Sequence, residues 1–298
     1  MADRTVDRTT DHDADQITDQ WFRETLHPEF QAGIRMDRLI HRGRTAFQSV
    51  LIFENALLGR VLVLDDVIQT TERDEFIYHE MLAHVPLMSL AEPREVLIVG
   101  GGDGGCLEEV LKHPVARVTM IELDGQVVDL CRRHLGGICG EAFADPRTEL
   151  RIEDGARFVA ATERRFDVII IDSTDPVGPG AVLFSPEFYE NCRRCLTPEG
   201  ILVTQNGVPF IQGDEMAASA RAFARLFDYP RFYFAAVPMY MGGAMAFGCA
   251  SQAIDAACLS GSDLAGRLHE RGLKLRYYSP AVHLAAFAMP PYLQDLID

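Results

Sequence analysis

The segment from Glu95 to Gly105 constrains this chain most: an apolar run of strand length, residues 96–99, breaks directly into Gly100-Gly-Gly-Asp-Gly-Gly105. A buried strand that ends in glycines and then opens a helix is the form of a nucleotide-binding turn in an open parallel sheet. Glycine allows the sharp turn and lets the backbone approach a ligand where a Cβ would collide. The pattern then repeats, with apolar runs at 118–121, 150–152, 168–171 and 201–204 separated by segments of helical length. Runs of this kind predict strands buried on both faces of a parallel sheet, with helices on either side. A helix near 214–227 and a hairpin of 231–237 with 244–249 complete the pattern. A closing antiparallel pair marks the methyltransferase-type version of a Rossmann-like sheet.

Upstream the pattern differs. Residues 48–54, 59–64 and 67–71 are short β-like runs separated by turn residues, which predicts a small antiparallel β domain. Phe76, Met81, Leu82, Val85 and Leu87 then recur on a helical period that runs through Pro86. The expected division is a disordered acidic tail over 1–19, an N-terminal β domain over 20–73 and a catalytic α/β domain over 74–298. A net charge of -16 disfavours nucleic acid as a partner and favours a small cation. The 7 cysteines are odd in number and lack paired extracellular spacing, so no disulfide framework is expected. The C-x-x-C of Cys192 and Cys195 lies in a helix-like run without a second pair, and no metal is assigned to it. No apolar run has the length of a membrane span and no signal segment opens the chain, so a cytoplasmic protein without a membrane partner is expected.

Acids stand at the ends of the predicted strands, where ligands of open parallel sheets bind. Gly100, Gly102 and Gly105 satisfy G-x-G-x-x-G, but Asp103 inside the turn opposes a pyrophosphate and suits an amine. Glu122 ends the second strand, where a carboxylate accepts from both hydroxyls of a ribose. Asp154 and Gly155 follow the third, in a position equally suited to an adenine amino group or to a helix cap. The stretch from Asp172 to Gly180 follows the fourth and carries two Pro and two Gly, so an irregular lid running to about Ser185 is expected. Asp172 and Asp175 either converge on one point or cap turns. An alkyl amine with a pKa of about 10.4 must lose a proton before it can act as a nucleophile, and Asp172 suits the role of acceptor.

Residues 63–82, the glycine turn and residues 172–180 together resemble the signatures of the polyamine aminopropyltransferases, in order and with few insertions. The resemblance implies aminopropyl transfer from decarboxylated S-adenosylmethionine to putrescine, giving spermidine and methylthioadenosine, with no further cofactor and no metal. It implies that Gln48, His79, Gly100, Gly102, Asp103, Glu122, Asp154, Gly155 and Pro179 meet the nucleoside donor. Tyr78, Asp172 and Tyr240 would surround the attacking nitrogen, with Asp172 as base. Trp21, Gln69, Asp175 and Gln205 would line the diamine channel, and a homodimer is implied. The chain departs from the family at Asp66, where a glycine is usual, at Glu108, where arginine is common, and at Met241-Gly242. Alternatives are a methyltransferase using intact S-adenosylmethionine, transfer to cadaverine or agmatine, and a polyamine-binding protein without catalysis. Two acids at the amino-acid end of the donor would repel the carboxylate of the intact molecule.

Overall fold

The computed structural model describes residues 16–176 and 178–297. Among them the chain opens with an antiparallel sheet in the order β1-β2-β3-β4-β5. Its strands are β1 (Gln16–Arg23), β2 (Gly33–Arg44), β3 (Ser49–Asn55), β4 (Gly59–Leu64) and β5 (Val67–Thr71). Strand β1 begins at Gln16, inside the segment expected to be tail; the remainder of that segment, 1–15, lies outside the described residues. Both faces of this sheet are covered. Phe22, Ile34, Met36, Phe53, Val61, Val63 and Ile68 form one apolar cluster. Val50, Ile52, Leu62 and Leu64 alternate with it and pack against Val127, Cys131, Leu135 and Ile138 of the following domain.

Asp65 and Asp66 make the two-residue turn between β4 and β5, with φ of 44° and 61° and Leu64 paired to Val67. Positive φ at both central positions matches a type I′ hairpin, which aspartate tolerates and glycine prefers. The departure at Asp66 therefore leaves the turn in place.

Helix α1 (Glu75–Ser89) leads into a seven-stranded sheet and carries Pro86 in its last turn. The strands are β6 (Glu95–Gly100), β7 (Arg117–Glu122), β8 (Thr148–Ile152), β9 (Phe166–Asp172), β10 (Leu196–Gln205), β11 (Tyr229–Ala235) and β12 (Met245–Ser251), in the order β11-β12-β10-β9-β6-β7-β8. Strands β6 to β10 are parallel, and β12 is antiparallel to β10 and β11. This is the methyltransferase-type arrangement read from the sequence. The helices are α2 (Gly105–Leu111), α3 (Gly125–His134), α4 (Gly136–Cys139), α5 (Gly155–Ala161), α6 (Pro186–Cys195), α7 (Pro209–Leu226), α8 (Gly261–Glu270), α9 (Pro280–Ala286) and α10 (Pro291–Ile297). Val96 and Ile98 belong to one core cluster and Leu97 and Val99 to the other, so successive residues of β6 are buried on opposite faces.

The segment after β9 differs from the expected irregular lid: Gly178–Phe184 form a 3-10 helix, a tight form that short runs adopt even with Pro and Gly present. Helix α7 starts earlier than expected because Pro209 sits at its first turn, where its missing N–H costs nothing. Among the described residues no helix is long and apolar enough to cross a membrane.

Candidate active site

Strand order sets the position of the site. From β6 the chain moves one way to β7 and β8, then returns to the other side of β6 through β9, which opens a crevice at the carboxyl ends of β6 and β9. There Gly100 pairs with Asp172. A Cβ on Gly100 would stand 2.1 Å from the Asp172 carbonyl oxygen, so only glycine allows the two strand ends to approach this closely. Gly101 N–H donates to that carbonyl at 2.7 Å.

A cavity of about 560 Å³ fills the crevice. At its centre Tyr78 Oη donates to Asp172 Oδ1 at 2.8 Å, while Asp172 Oδ2 is buried and has no hydrogen-bond partner. His79, Asp103 and Asp172 each bring one nitrogen or oxygen to within 4.8 Å of the others. His79 Nδ1 lies 2.8 Å from Glu75 Oε2 and its Nε2 3.5 Å from Asp103 Oδ2. Burial alone would push the His79 pKa down, but the Asp103 and Glu75 carboxylates outweigh it and hold the imidazole well above its ordinary range. Burial, then Asp103, raises Asp172 to about 6 against the opposing effects of His79 and Tyr78. Burial also holds the Tyr78 and Tyr240 phenols well above their usual range, which keeps both as donors.

Gln48, Gly100, Gly102, Glu122, Asp154 and Gly155 line the same cavity. Asp103 Oδ1 accepts from Gly105 N–H at 2.9 Å, which fixes the acid at the start of α2. Burial raises Glu122 to about 7, with Asp124 N–H opposing and the Asp124 and Asp172 charges adding to it. Asp154 caps α5 through Arg157 N–H at 3.0 Å and also lines the cavity.

A smaller annex of about 70 Å³ continues past Tyr78 and Tyr240. Gln69, Asp175 and Gln205 line it, as does Met241. Tyr240 Oη donates to the Gln69 carbonyl at 2.5 Å, and Gln205 Nε2 donates to the Ser173 carbonyl at 3.1 Å. Asp172 and Asp175 both line the larger cavity. Asp172 groups with Asp103, whereas Asp175 accepts from Gln212 Nε2 at 2.8 Å and faces the annex. Burial raises Asp175, and it raises Glu24 as well. Glu215, beside Gln212, is raised to about 7 by burial and by Asp175.

Trp21 is not brought to the site: it is 57% exposed on β1 and lines neither space. Pro179 falls in the 3-10 turn, and its side chain lies outside the described residues. The sequence reading missed Glu75, Asp124, Glu24 and Glu215. Asp124 carried a cap signal, being followed by Gly125 and a helical run, but nothing local announced its partners across the chain.

Residues 75–258 match the spermine/spermidine synthase domain model, and residues 20–72 match the spermidine synthase tetramerisation domain model. The chain is 53% identical over 277 residues to polyamine aminopropyltransferase 1 of Pseudomonas aeruginosa, covering 93% of this chain and 97% of the relative. It is 50% identical over 278 residues to the polyamine aminopropyltransferase of an Enterobacter species, covering 93% and 96%. Among solved structures, a spermidine synthase in complex with the transition-state analogue AdoDATO superposes with a TM-score of 0.90 at 36% identity, over 96% of this chain and 97% of that one. The spermidine synthase of Thermotoga maritima gives 0.87 at 35% identity, over 99% of each.

Proposed function

The chain belongs to the spermine/spermidine synthase family, and from that premise we propose that its cavity transfers an aminopropyl group from decarboxylated S-adenosylmethionine to putrescine. The observation that carries the reading is the meeting of Asp103 and Asp172 at the switch point, with Asp172 Oδ2 buried and unpartnered. Carboxylates in that place accept a donor that ends in an ammonium and repel one that ends in a carboxylate.

In the proposed reaction the acceptor nitrogen enters from the annex and its lone pair attacks the methylene next to the sulfonium. A C–N bond forms as the C–S bond breaks, the bonding pair returns to sulfur, and methylthioadenosine leaves uncharged. The nitrogen's proton passes to Asp172. Tyr78 holds Oδ1, which leaves Oδ2 as the accepting atom. Gln48, Glu122 and Asp154 bind the nucleoside, Asp103 and Asp172 its aminopropyl end, and His79 meets the donor from beside Asp103. Gln69, Asp175 and Gln205 bind the far amine, and Tyr240 walls the channel between. The chemistry demands little beyond aligning nitrogen, carbon and sulfur and removing water. The tetramerisation domain match supports an assembly of more than one copy, and we propose a homodimer as its basic unit.

The test is methylthioadenosine release by purified protein with each sulfonium donor against putrescine, cadaverine and agmatine. Release from the decarboxylated donor with putrescine as the preferred acceptor is expected. Consumption of intact S-adenosylmethionine alone would establish a methyltransferase instead.

A further inference from the structure

The reaction makes no use of Asp124, yet this carboxylate is 2% exposed on the cavity wall and ties together the start of α3, the turn after β2 and the end of β7. Its Oδ1 caps α3 by accepting from Gln126 N–H at 3.1 Å. Its Oδ2 reaches the other sheet, accepting from Thr45 Oγ1 at 2.6 Å and from Gln48 Nε2 at 3.0 Å. Its own N–H donates to Glu122 Oε1 at 2.9 Å. One residue therefore holds both the amide and the acid that face the donor.

Thr45 is equally committed. Its hydroxyl accepts from Phe47 N–H and Gln48 N–H, each at 3.1 Å, and has Asp124 Oδ2 as its nearer acceptor at 2.6 Å, against 3.3 Å to the Gln48 carbonyl. That hydroxyl folds the turn between β2 and β3, which places Phe47 and Gln48 on the cavity wall. Without an acceptor at Asp124 Oδ2 the turn keeps its shape but loses its attachment to the end of β7.

We propose that Asp124 is a positioning residue for the donor: a latch that registers the N-terminal sheet on the nucleoside-binding turn and so sets donor affinity through Gln48 and Glu122. The inference rests on the reading of Gln48 and Glu122 as nucleoside ligands given above.

Asp124→Asn separates the latch from the helix cap. Asparagine caps as well as aspartate, while its Nδ2 cannot accept from Thr45 or Gln48. Thr45→Val cuts the same contact from the other side, whichever way the new amide turns, and leaves the α3 cap untouched; because it also removes the acceptor of Phe47 and Gln48 N–H, Asp124→Asn is the variant that reads the latch apart from the turn. In both variants the donor KM should rise about tenfold or more, as for loss of a hydrogen bond to a charged group. Turnover at saturating donor and the acceptor KM should stay within about twofold of wild type. Calorimetric titration with methylthioadenosine reads the latch without turnover and should show a matching loss, so weakened nucleoside binding supports the latch even where the transfer assay contradicts the proposed reaction. An unchanged donor KM and nucleoside affinity in both variants overturns the proposal, even with a lowered Tm. So does a joint change of both KM values and kcat, and so does a wild-type protein that binds no nucleoside.

Discussion

Replacing Asp172 by asparagine should make the protein more stable while abolishing its activity. In the fold this carboxyl is raised from 3.8 to about 6, mainly by burial and by Asp103. At 1.36 kcal/mol per pKa unit, an ionised Asp172 costs the native state about 3 kcal/mol at pH 8. The sign follows from proton binding. Between pH 4 and 6 the native state holds a proton that the unfolded chain has lost, so this group's contribution to stability falls as pH rises through that window and is flat above it. Asparagine keeps an acceptor for the Tyr78 hydroxyl and removes the charge beside Asp103. At about 2 °C per kcal/mol for a chain of this size, the variant should melt about 3–6 °C above wild type at pH 8. The difference should fall to about half at pH 5, where wild-type Asp172 is largely protonated in the fold. Thermal unfolding at the two pH values, beside methylthioadenosine release, measures both halves. Turnover should drop by about 10²–10⁴, the range for loss of a general base. A variant less stable than wild type at pH 8, or equally stabilised at both pH values, would refute the electrostatic account, and near-normal turnover would remove Asp172 from the base role.

Four further outcomes are expected. The pH profile of kcat/KM for the acceptor should fall below about pH 6, because Asp172 accepts a proton only when ionised; the donor KM should climb as pH drops through 7, where Glu122 protonates, and a flat donor KM from pH 8 to 6 would contradict its ribose role. Tyr78→Phe removes a hydrogen bond that holds the Asp172 pKa down, so the acid limb should move to higher pH with about a tenfold loss of turnover; an unmoved limb would separate the two residues. Asp66→Gly should stabilise the protein by about 1 kcal/mol without touching kinetics, since φ of 61° suits glycine, and denaturant unfolding that shows a loss instead would exclude turn strain.

Strands β6, β7, β9 and β10 were legible because both faces of each are largely buried, so that residues 168–171 carry no polar interruption and cannot be mistaken for a surface element, whereas β8 at the sheet edge is half-exposed. The same logic failed for β2, where Ile34 and Met36 alternate with Arg35 and Asp37 and the strand then runs on through Asp37–Arg44 with few apolar residues. Its burial comes from neighbours on either side rather than from its own composition. The acids at strand ends were legible for a related reason: the fold places strand ends in the crevice, so an acid there is near any ligand whatever the remaining structure does. Glu24 and Glu215 follow no such rule. Glu24 reaches the annex from just after β1, brought there by the packing of the N-terminal sheet against the larger one, while Glu215 feels Asp175 from α7 within the larger domain. Trp21 shows the converse, since a motif match fixed its identity and not its direction.

Charge at the sequence level pointed to a cation, and the structure explains how that charge becomes selective. The chain has 28 Lys and Arg against 44 Asp and Glu, and the basic residues are spent elsewhere: Arg38 on Glu54, Lys112 on Glu108 and Glu109, Arg231 on Asp255. Among the described residues no Lys or Arg forms an ion pair with Asp103, Asp172, Asp175, Glu24 or Glu215. His79 alone neutralises part of the central group, and it faces away from the annex. Buried acids without counter-ions are unfavourable in the empty protein, as the raised pKa values of Asp172, Asp175 and Glu215 record. A ligand that brings its own positive charges to both ends removes that penalty on binding, and an uncharged or anionic molecule of the same shape does not. On the proposed reaction, a preference for polycations would follow from where the arginines are absent as much as from where the acids stand.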